Sequence, residues 1–360
     1  MFSDKRILFY VPDGCLATNG VYASQVGGLA QYVKSLGAKV LIWDDGLHCK
    51  LWFFQIVRHF RKLARLDMRL EAFRPTHIYV RTYQSCLAAE ELARKTRAKI
   101  VYSMRGADVA ETLLEKNFHA YVLAAYAAFH VHKAVKIADH IGSVSQAMAR
   151  WIKRKWHRDA SVLPCCVTEN AFAPLVDTVQ SERSAGKTVI YCGGLSAWQK
   201  IDEIIALMKK MGDVDKTLKF RFLTRNVALL TEKCDKGGFA SDRWTCKACM
   251  PTEVPKELAA ADCGIILRDD MLVNQVSSPI KLGEYLAAGC GVIASPFIGD
   301  VAGELADKDF AKLLTADAQV KDLVAFVRRL SPKTKVAAQA YARKHLTYEG
   351  NKATVLSMFS

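Results

Sequence analysis

The sequence predicts an α/β protein made of two doubly wound parallel sheets, one in each half of the chain. Three observations carry this expectation. Short apolar runs alternate with longer segments of helical period, which implies parallel strands joined by crossover helices. The alternation restarts near residue 187, with a strand that runs into a glycine turn. At 360 residues the chain is also longer than one typical core, so length favours two domains. The division is expected as 1–165 and 166–340, with 341–360 forming a C-terminal helix that returns to the first domain.

In the first half, Ile7-Leu8-Phe9-Tyr10-Val11 is a continuous apolar run stopped by Pro12-Asp13-Gly14, so 6–11 reads as a strand and a turn. A glycine-opened helix over 20–37 leads to a strand at 38–43, and a basic helix covers 50–72. Strands at 77–80 and 99–104 flank a helix at 84–97, and long helical segments follow at 111–138 and 144–157. The stretch from Val162 to Pro174 looks like the junction. In the second half, 187–192 is a strand ending at Gly193-Gly194, followed by a helix from Ile201. Further strands are expected at 219–223, 263–267 and 291–295, with helices at 255–261, 279–288 and 317–330. In open parallel sheets ligands sit beyond the strand C-termini, where glycine turns lead into helices, and two such domains place a ligand cleft between them.

Composition narrows the class. With 51% hydrophobic and 24% charged residues and a mean hydropathy of +0.05, the chain reads as a soluble globular protein. No uninterrupted apolar run reaches the ~18 residues of a membrane span, and the short N-terminal run ends in a turn rather than a cleavage site. Eleven scattered cysteines fit buried thiols in a reducing cytoplasm. Cys234, Cys246 and Cys249 are the one cluster with metal-like spacing, but no histidine lies near enough in sequence to complete a zinc site. The net charge of +15 is unevenly shared. Residues 1–165 hold 25 Lys and Arg against 13 Asp and Glu, and the remainder 26 against 23. A basic first half suggests a surface that faces a polyanion or an anionic membrane.

The densest chemical signal runs from Ser277 to Gly289. Ser278-Pro279 is a helix start and Gly289 a helix stop. The N-terminus of the helix between them offers free N–H groups and a positive dipole end, with Lys281 beside it. Glu284, one turn on, can accept hydrogen bonds from hydroxyls attached to a bound anion. A phosphate with a sugar hydroxyl fits this pattern; an ordinary capped helix is the plain alternative.

Taken in order, several segments resemble retaining glycosyltransferases of the GT-B fold, most closely the large bacterial family 4. They are Asn19-Gly20-Val21 with Gly27-Gly28, Val144-Ser145-Gln146-Ala147-Met148, Leu163-Pro164-Cys165-Cys166-Val167, Tyr191 to Lys200, and Ser278 to Gly289. The resemblance implies two Rossmann-like domains: an acceptor-binding domain, then a donor-binding one. It implies a nucleotide-sugar donor approached by Gly20, Gly193 and Gly194 and bound at Ser278, Pro279 and Ile280, with the backbone N–H groups from Ser278 to Ile280 on its phosphates. Lys281 would neutralise the diphosphate and Glu284 would take the ribose hydroxyls. It also implies metal-independent transfer with no cofactor, in which the departing diphosphate takes the proton of the attacking hydroxyl. This chain departs from the family where a second glutamate is usual (Val276), where an arginine is usual (Gly194) and where a lysine is usual (Gln199). Asn274 is the candidate replacement for the lost carboxylate, and Lys200 or Arg268 for the lost cation. Asp269-Asp270 reads as a pair of loop acids beside the donor site.

On the acceptor side, Met104-Arg105-Gly106-Ala107-Asp108 follows a strand and resembles a turn that some members carry near the reacting centre. Arg105 is the candidate to hold a donor phosphate or steer the acceptor. Asp108 and Glu111 are candidates to orient an acceptor hydroxyl. Residues 50–72 combine an apolar face (Phe53, Ile56, Phe60, Leu63) with Lys50, Arg58, Arg61, Lys62, Arg65 and Arg69, and 153–158 form a second basic aromatic patch. Both are expected at an anionic membrane surface, which suits a glycan or lipid-linked acceptor in surface polysaccharide or lipopolysaccharide synthesis. Two rival readings stand beside this one. A nucleic-acid binder explains the charge but not the glycine turns, so no nucleic acid is expected as a partner. A sugar-nucleotide epimerase or hydrolase of the same fold would differ in its products.

Overall fold

The computed structural model describes residues 1–11, 23–44, 72–172 and 186–360. Gly20 and residues 50–71 of the expected basic helix lie outside the described residues. The chain divides into two compact units: Met1–Pro164 with Asn351–Ser360, and Cys165–Gly350.

The first unit holds β1 (Arg6–Val11), β2 (Lys39–Asp44), β3 (His77–Val80), β4 (Lys99–Ser103), β5 (His140–Ser143) and β6 (Ser161–Val162). They form one parallel sheet in the order β2-β1-β3-β4-β5-β6. β1 is buried from Ile7 onward, as a strand covered on both faces must be. Its helices are α1 (Gly28–Ser35), α2 (Tyr83–Thr96), α3 (Asp108–Leu113), α4 (Phe118–Ile137) and α5 (Gln146–Trp156). α1 begins only after a π-turn at Ala23–Gly27. The segment expected as one helix over 111–138 is two helices. Lys116 turns into the left-handed region (φ 51°), and the Asn117 side chain caps α4 by accepting from the Ala120 N–H at 2.7 Å. The last ten residues complete this unit's core. The ring of Phe359 meets those of Phe2, Phe9 and Tyr79 at centroid distances of 6.1, 6.5 and 6.2 Å.

The second unit follows the same plan, opening with β7 (Thr188–Cys192), α6 (Ile201–Val214), β8 (Lys219–Leu223), α7 (Val227–Lys236) and β9 (Trp244–Lys247). α8 (Val254–Ala259), β10 (Cys263–Ile266), α9 (Leu272–Gln275), α10 (Ile280–Ala287) and β11 (Gly291–Ala294) come next. α11 (Val301–Leu305), β12 (Ala311–Leu313), α12 (Val320–Arg329) and α13 (Pro332–His345) complete it. The parallel sheet runs β12-β11-β10-β7-β8-β9. Successive strand residues point to opposite faces. Ile190 accordingly packs with Tyr285, Leu286 and Ala338, and Val189 with Ile204, Met208 and Phe326. The three clustered cysteines divide in the same way: Cys234 and Cys246 join one layer and Cys249 the other. Strand order reverses between β7 and β10, and the loops leaving the C-terminal ends of these two strands begin at Gly193 and at Leu267.

Candidate functional site

At this reversal the second unit gathers the motif residues around Lys281. Its side chain is 9% exposed, and its ammonium donates to the Tyr191 hydroxyl at 3.0 Å and to Gln199 Oε1 at 2.6 Å. It also lies 4.3 Å from the centre of the Tyr191 ring. No carboxylate pairs with it among the described residues. Burial, with the repulsion of Arg268 second, lowers its pKa to about 7.

The turn after β7 is shaped to admit this ammonium. Gly193 has φ +147°, and a Cβ there would stand 2.3 Å from Lys281 Cε and 2.4 Å from Nζ. The Tyr191 hydroxyl donates to the Gly194 carbonyl, and the Tyr285 hydroxyl accepts from the Cys192 N–H at 2.9 Å. Tyr285 can reach there because its ring lies over Gly264, where a Cβ would come within 2.4 Å of Cδ2. Gln199, which stands where the resembling family has a lysine, turns a would-be like-charge contact into a hydrogen bond.

α10 begins at Ile280 with Pro279 as its N-cap and no side-chain cap. Pro279 has no N–H, so the expectation of backbone donors from Ser278 to Ile280 loses its middle member. The Ser278 hydroxyl accepts from the Cys165 N–H at 3.1 Å. Glu284 is half-buried one turn into α10, and its carboxylate makes no hydrogen bond or salt bridge among the described residues. Burial raises its pKa, with Lys281 opposing.

Two expected donor-side residues are engaged elsewhere. The Lys200 ammonium pairs with Asp269 at 2.5 Å and Glu203 at 2.8 Å, so its charge is already balanced. Asn274 is buried, and its amide nitrogen donates to the Asp269 carbonyl at 2.9 Å. Asp270 accepts from Gln275. Arg268, in contrast, is 8% exposed, and among the described residues its side chain makes one hydrogen bond, to the Leu267 carbonyl at 2.8 Å.

In the first unit, Arg105 follows β4. Its guanidinium donates to Gln25 Oε1 at 2.8 Å and to the Leu163 carbonyl at 3.4 Å. Gln25 belongs to the turn that opens α1. Asp108 starts α3, and burial, reinforced by Glu111, raises its pKa to about 7. Glu111 folds its carboxylate over Gly106, where a Cβ would lie 2.1 Å from Oε1. Burial raises its pKa too, against a lowering hydrogen bond from the Ala107 backbone. Tyr83 is buried nearby; burial, with Asp108 second, pushes its pKa up to about 12.

Sequence reading named Lys281, Glu284 and the glycine turn. It did not name Tyr191 or Tyr285 as site residues, because an aromatic in a strand or a helix reads as core, and it read Gln199 only as the loss of a lysine. Nor did it name Gln25 or Tyr83, which carry no motif. The basic patch at 153–158 is partly spent. Lys153 holds both carboxylate oxygens of Asp159, and Arg158 donates to the carbonyls of Val135, Ala138 and Asp139 at the end of α4. Lys155 lies over the rings of Trp151 and Trp156. Among the described residues no helix is long and apolar enough to cross a membrane, and no group of three or more His, Cys, Asp or Glu is placed to hold a metal ion.

No protein-family profile matches the chain, and no curated protein sequence does. Solved structures match over nearly its full length. A sucrose-phosphate synthase from Thermosynechococcus elongatus aligns with TM-score 0.75 at 13% identity, over 98% of this chain and 97% of that one. Anabaena HepE, in complex with UDP and glucose, aligns with TM-score 0.65 at 14% identity, over 98% and 99%. WaaG, a glycosyltransferase involved in lipopolysaccharide biosynthesis, aligns with TM-score 0.65 at 13% identity, over 97% and 99%. With two parallel six-stranded sheets flanked by helices, laid out as in these glycosyltransferases, the chain has the GT-B fold.

Proposed function

We propose that this protein is a glycosyltransferase that moves a sugar from a nucleoside-diphosphate donor to a hydroxyl of a glycan or lipid-linked acceptor. The observation that carries the reading is the Lys281 ammonium, buried with no carboxylate partner among the described residues, where strand order reverses and beneath a glycine turn that leaves room for it. A buried cation without a counter-ion is costly on its own and favourable once an anion arrives. The uncapped start of α10 adds its dipole at the same end. Glu284, with no partner for its carboxylate among the described residues, is the acceptor for sugar hydroxyls of the nucleotide.

In this reading the bond between the sugar's anomeric carbon and the diphosphate breaks while the acceptor oxygen bonds to the same face, so configuration is retained. The acceptor proton passes to the departing diphosphate oxygen. Charge stabilisation of that leaving group is then the protein's main contribution, with positioning second. The chemistry needs neither a metal nor a cofactor. Arg105, held by Gln25, and Asp108 with Glu111 are assigned to the acceptor side. The HepE complex with UDP and glucose is a parallel for a nucleotide-sugar donor, and WaaG, involved in lipopolysaccharide biosynthesis, is a parallel for a role in surface polysaccharide assembly.

We place the enzyme in the cytoplasm, peripheral on an anionic membrane. Residues 50–72 and 153–158 support this, and α4 adds to it. Its outer face exposes Phe118, Tyr121, Val122 and Phe129, and Lys136 is exposed further along the same helix. The test is a panel of nucleoside-diphosphate sugars incubated with glycan and lipid-linked acceptors, with the product linkage read by NMR. A new α-linkage from an α-linked donor supports the reading. An altered sugar nucleotide, or free sugar with no acceptor dependence, assigns an epimerase or hydrolase. Salt-sensitive binding to plain DNA with no donor turnover assigns a polyanion binder.

A further inference from the structure

We infer that Arg268, at the C-terminal end of β10, supplies the second cation of the diphosphate seat and takes over the task that the glycine turn has lost with Gly194. The inference rests on the donor reading above.

A guanidinium carries five N–H donors in a rigid fork and keeps its charge. Arg268 is 8% exposed, yet among the described residues its side chain makes one hydrogen bond, to the neighbouring Leu267 carbonyl, and no carboxylate pairs with it. The backbone fixes its position, since the Arg268 N–H donates to the Ser295 hydroxyl at 2.8 Å just beyond β11. Arg268 stands near enough to Lys281 for its charge to depress that lysine. Two buried cations that repel one another with no anion between them are unfavourable in the free protein, and a diphosphate is the ligand that reverses the balance.

The other cationic candidate, Lys200, is excluded by its own partners, Asp269 and Glu203. At Gly194 the backbone is exposed, with open space within 4 Å of where a Cβ would stand. A missing arginine there leaves a gap, and the Arg268 fork comes from the neighbouring strand end of the same unit.

The test is calorimetric titration of UDP, GDP, ADP and inorganic pyrophosphate into the wild type and into Arg268→Gln, Arg268→Lys and Lys281→Met. Thermal denaturation of each ligand-free protein accompanies it. We expect Arg268→Gln to weaken the preferred diphosphate about 10- to 100-fold, the scale of losing charge-assisted bonds to phosphate. Arg268→Lys should recover part of that loss. Ligand-free Arg268→Gln should melt no lower than wild type, because an uncompensated buried charge has been removed; a purely structural arginine would give a lower melting temperature. If Arg268→Gln binds as tightly as wild type while Lys281→Met does not, the inference about Arg268 is overturned and the donor reading stands. If the wild type binds none of the four ligands, both are overturned.

Discussion

Lys281 is where burial, charge and hydrogen bonding meet, and its protonation should govern donor binding. In the free protein it holds its proton below about pH 7 and loses it above. The groups that face it are Arg268, Glu284, Cys192 and Tyr191; burial holds the Cys192 thiol at about 12 and keeps the Tyr191 phenol protonated. A diphosphate binds the ammonium form. Affinity should therefore be full below pH 7 and fall by up to about tenfold per pH unit above it. Calorimetry between pH 6 and 9 checks this, and Lys281→Arg should flatten the profile. Asp108 gives a second pH signature. Its folded pKa of about 7 lies above the unfolded value of 3.8, so the fold keeps a proton that the unfolded chain releases. That contribution to stability is present below about pH 4 and is lost as pH rises towards 7. Asp108→Asn should be more stable than wild type at pH 8 in denaturant titrations, and should weaken acceptor rather than donor binding.

At the scale of elements, the second unit's site depends on a turn, a short helix and two strand ends. Gly193 is its narrowest point. Gly193→Ala would drive a methyl into Lys281 and strain the backbone, at a cost of about 1–3 kcal/mol in local conformation. The expected result is a protein that folds with reduced stability and gives no donor-induced thermal shift. Much of this was legible in the sequence, because Ser-Pro, the lysine and the terminal glycine mark α10 directly. Strands β1, β7 and β8 were legible as apolar runs. β5 was missed because His140-Ile141-Gly142-Ser143 has neither length nor apolar alternation, and β9 and β12 were missed for similar reasons. The break between α3 and α4 was hidden because a lysine rather than a glycine takes the left-handed turn. Arg268 and Lys200 show the limit at the site itself. Both read as spare cations, and only their partners separate a neutralised surface lysine from an uncompensated buried arginine.

For the whole molecule, charge asymmetry is the property that sequence alone established. The first half carries most of the +15. Membrane attachment through that half predicts salt-sensitive binding to vesicles rich in phosphatidylglycerol and little binding to phosphatidylcholine. Replacing Phe118 and Phe129 by serine should reduce sedimentation with the anionic vesicles several-fold and leave donor binding unchanged. The C-terminal ten residues, with Phe359 in the core of the first unit, tie the end of the chain back to its beginning. The central claim is that the residues around Lys281 and Glu284 hold a nucleoside-diphosphate sugar. A thermal-shift screen of such sugars on the wild type, Lys281→Ala and Glu284→Ala tests it most directly. At least one donor should stabilise the wild type, and the shift should disappear in Lys281→Ala and shrink strongly in Glu284→Ala; full shifts in both variants would contradict the claim.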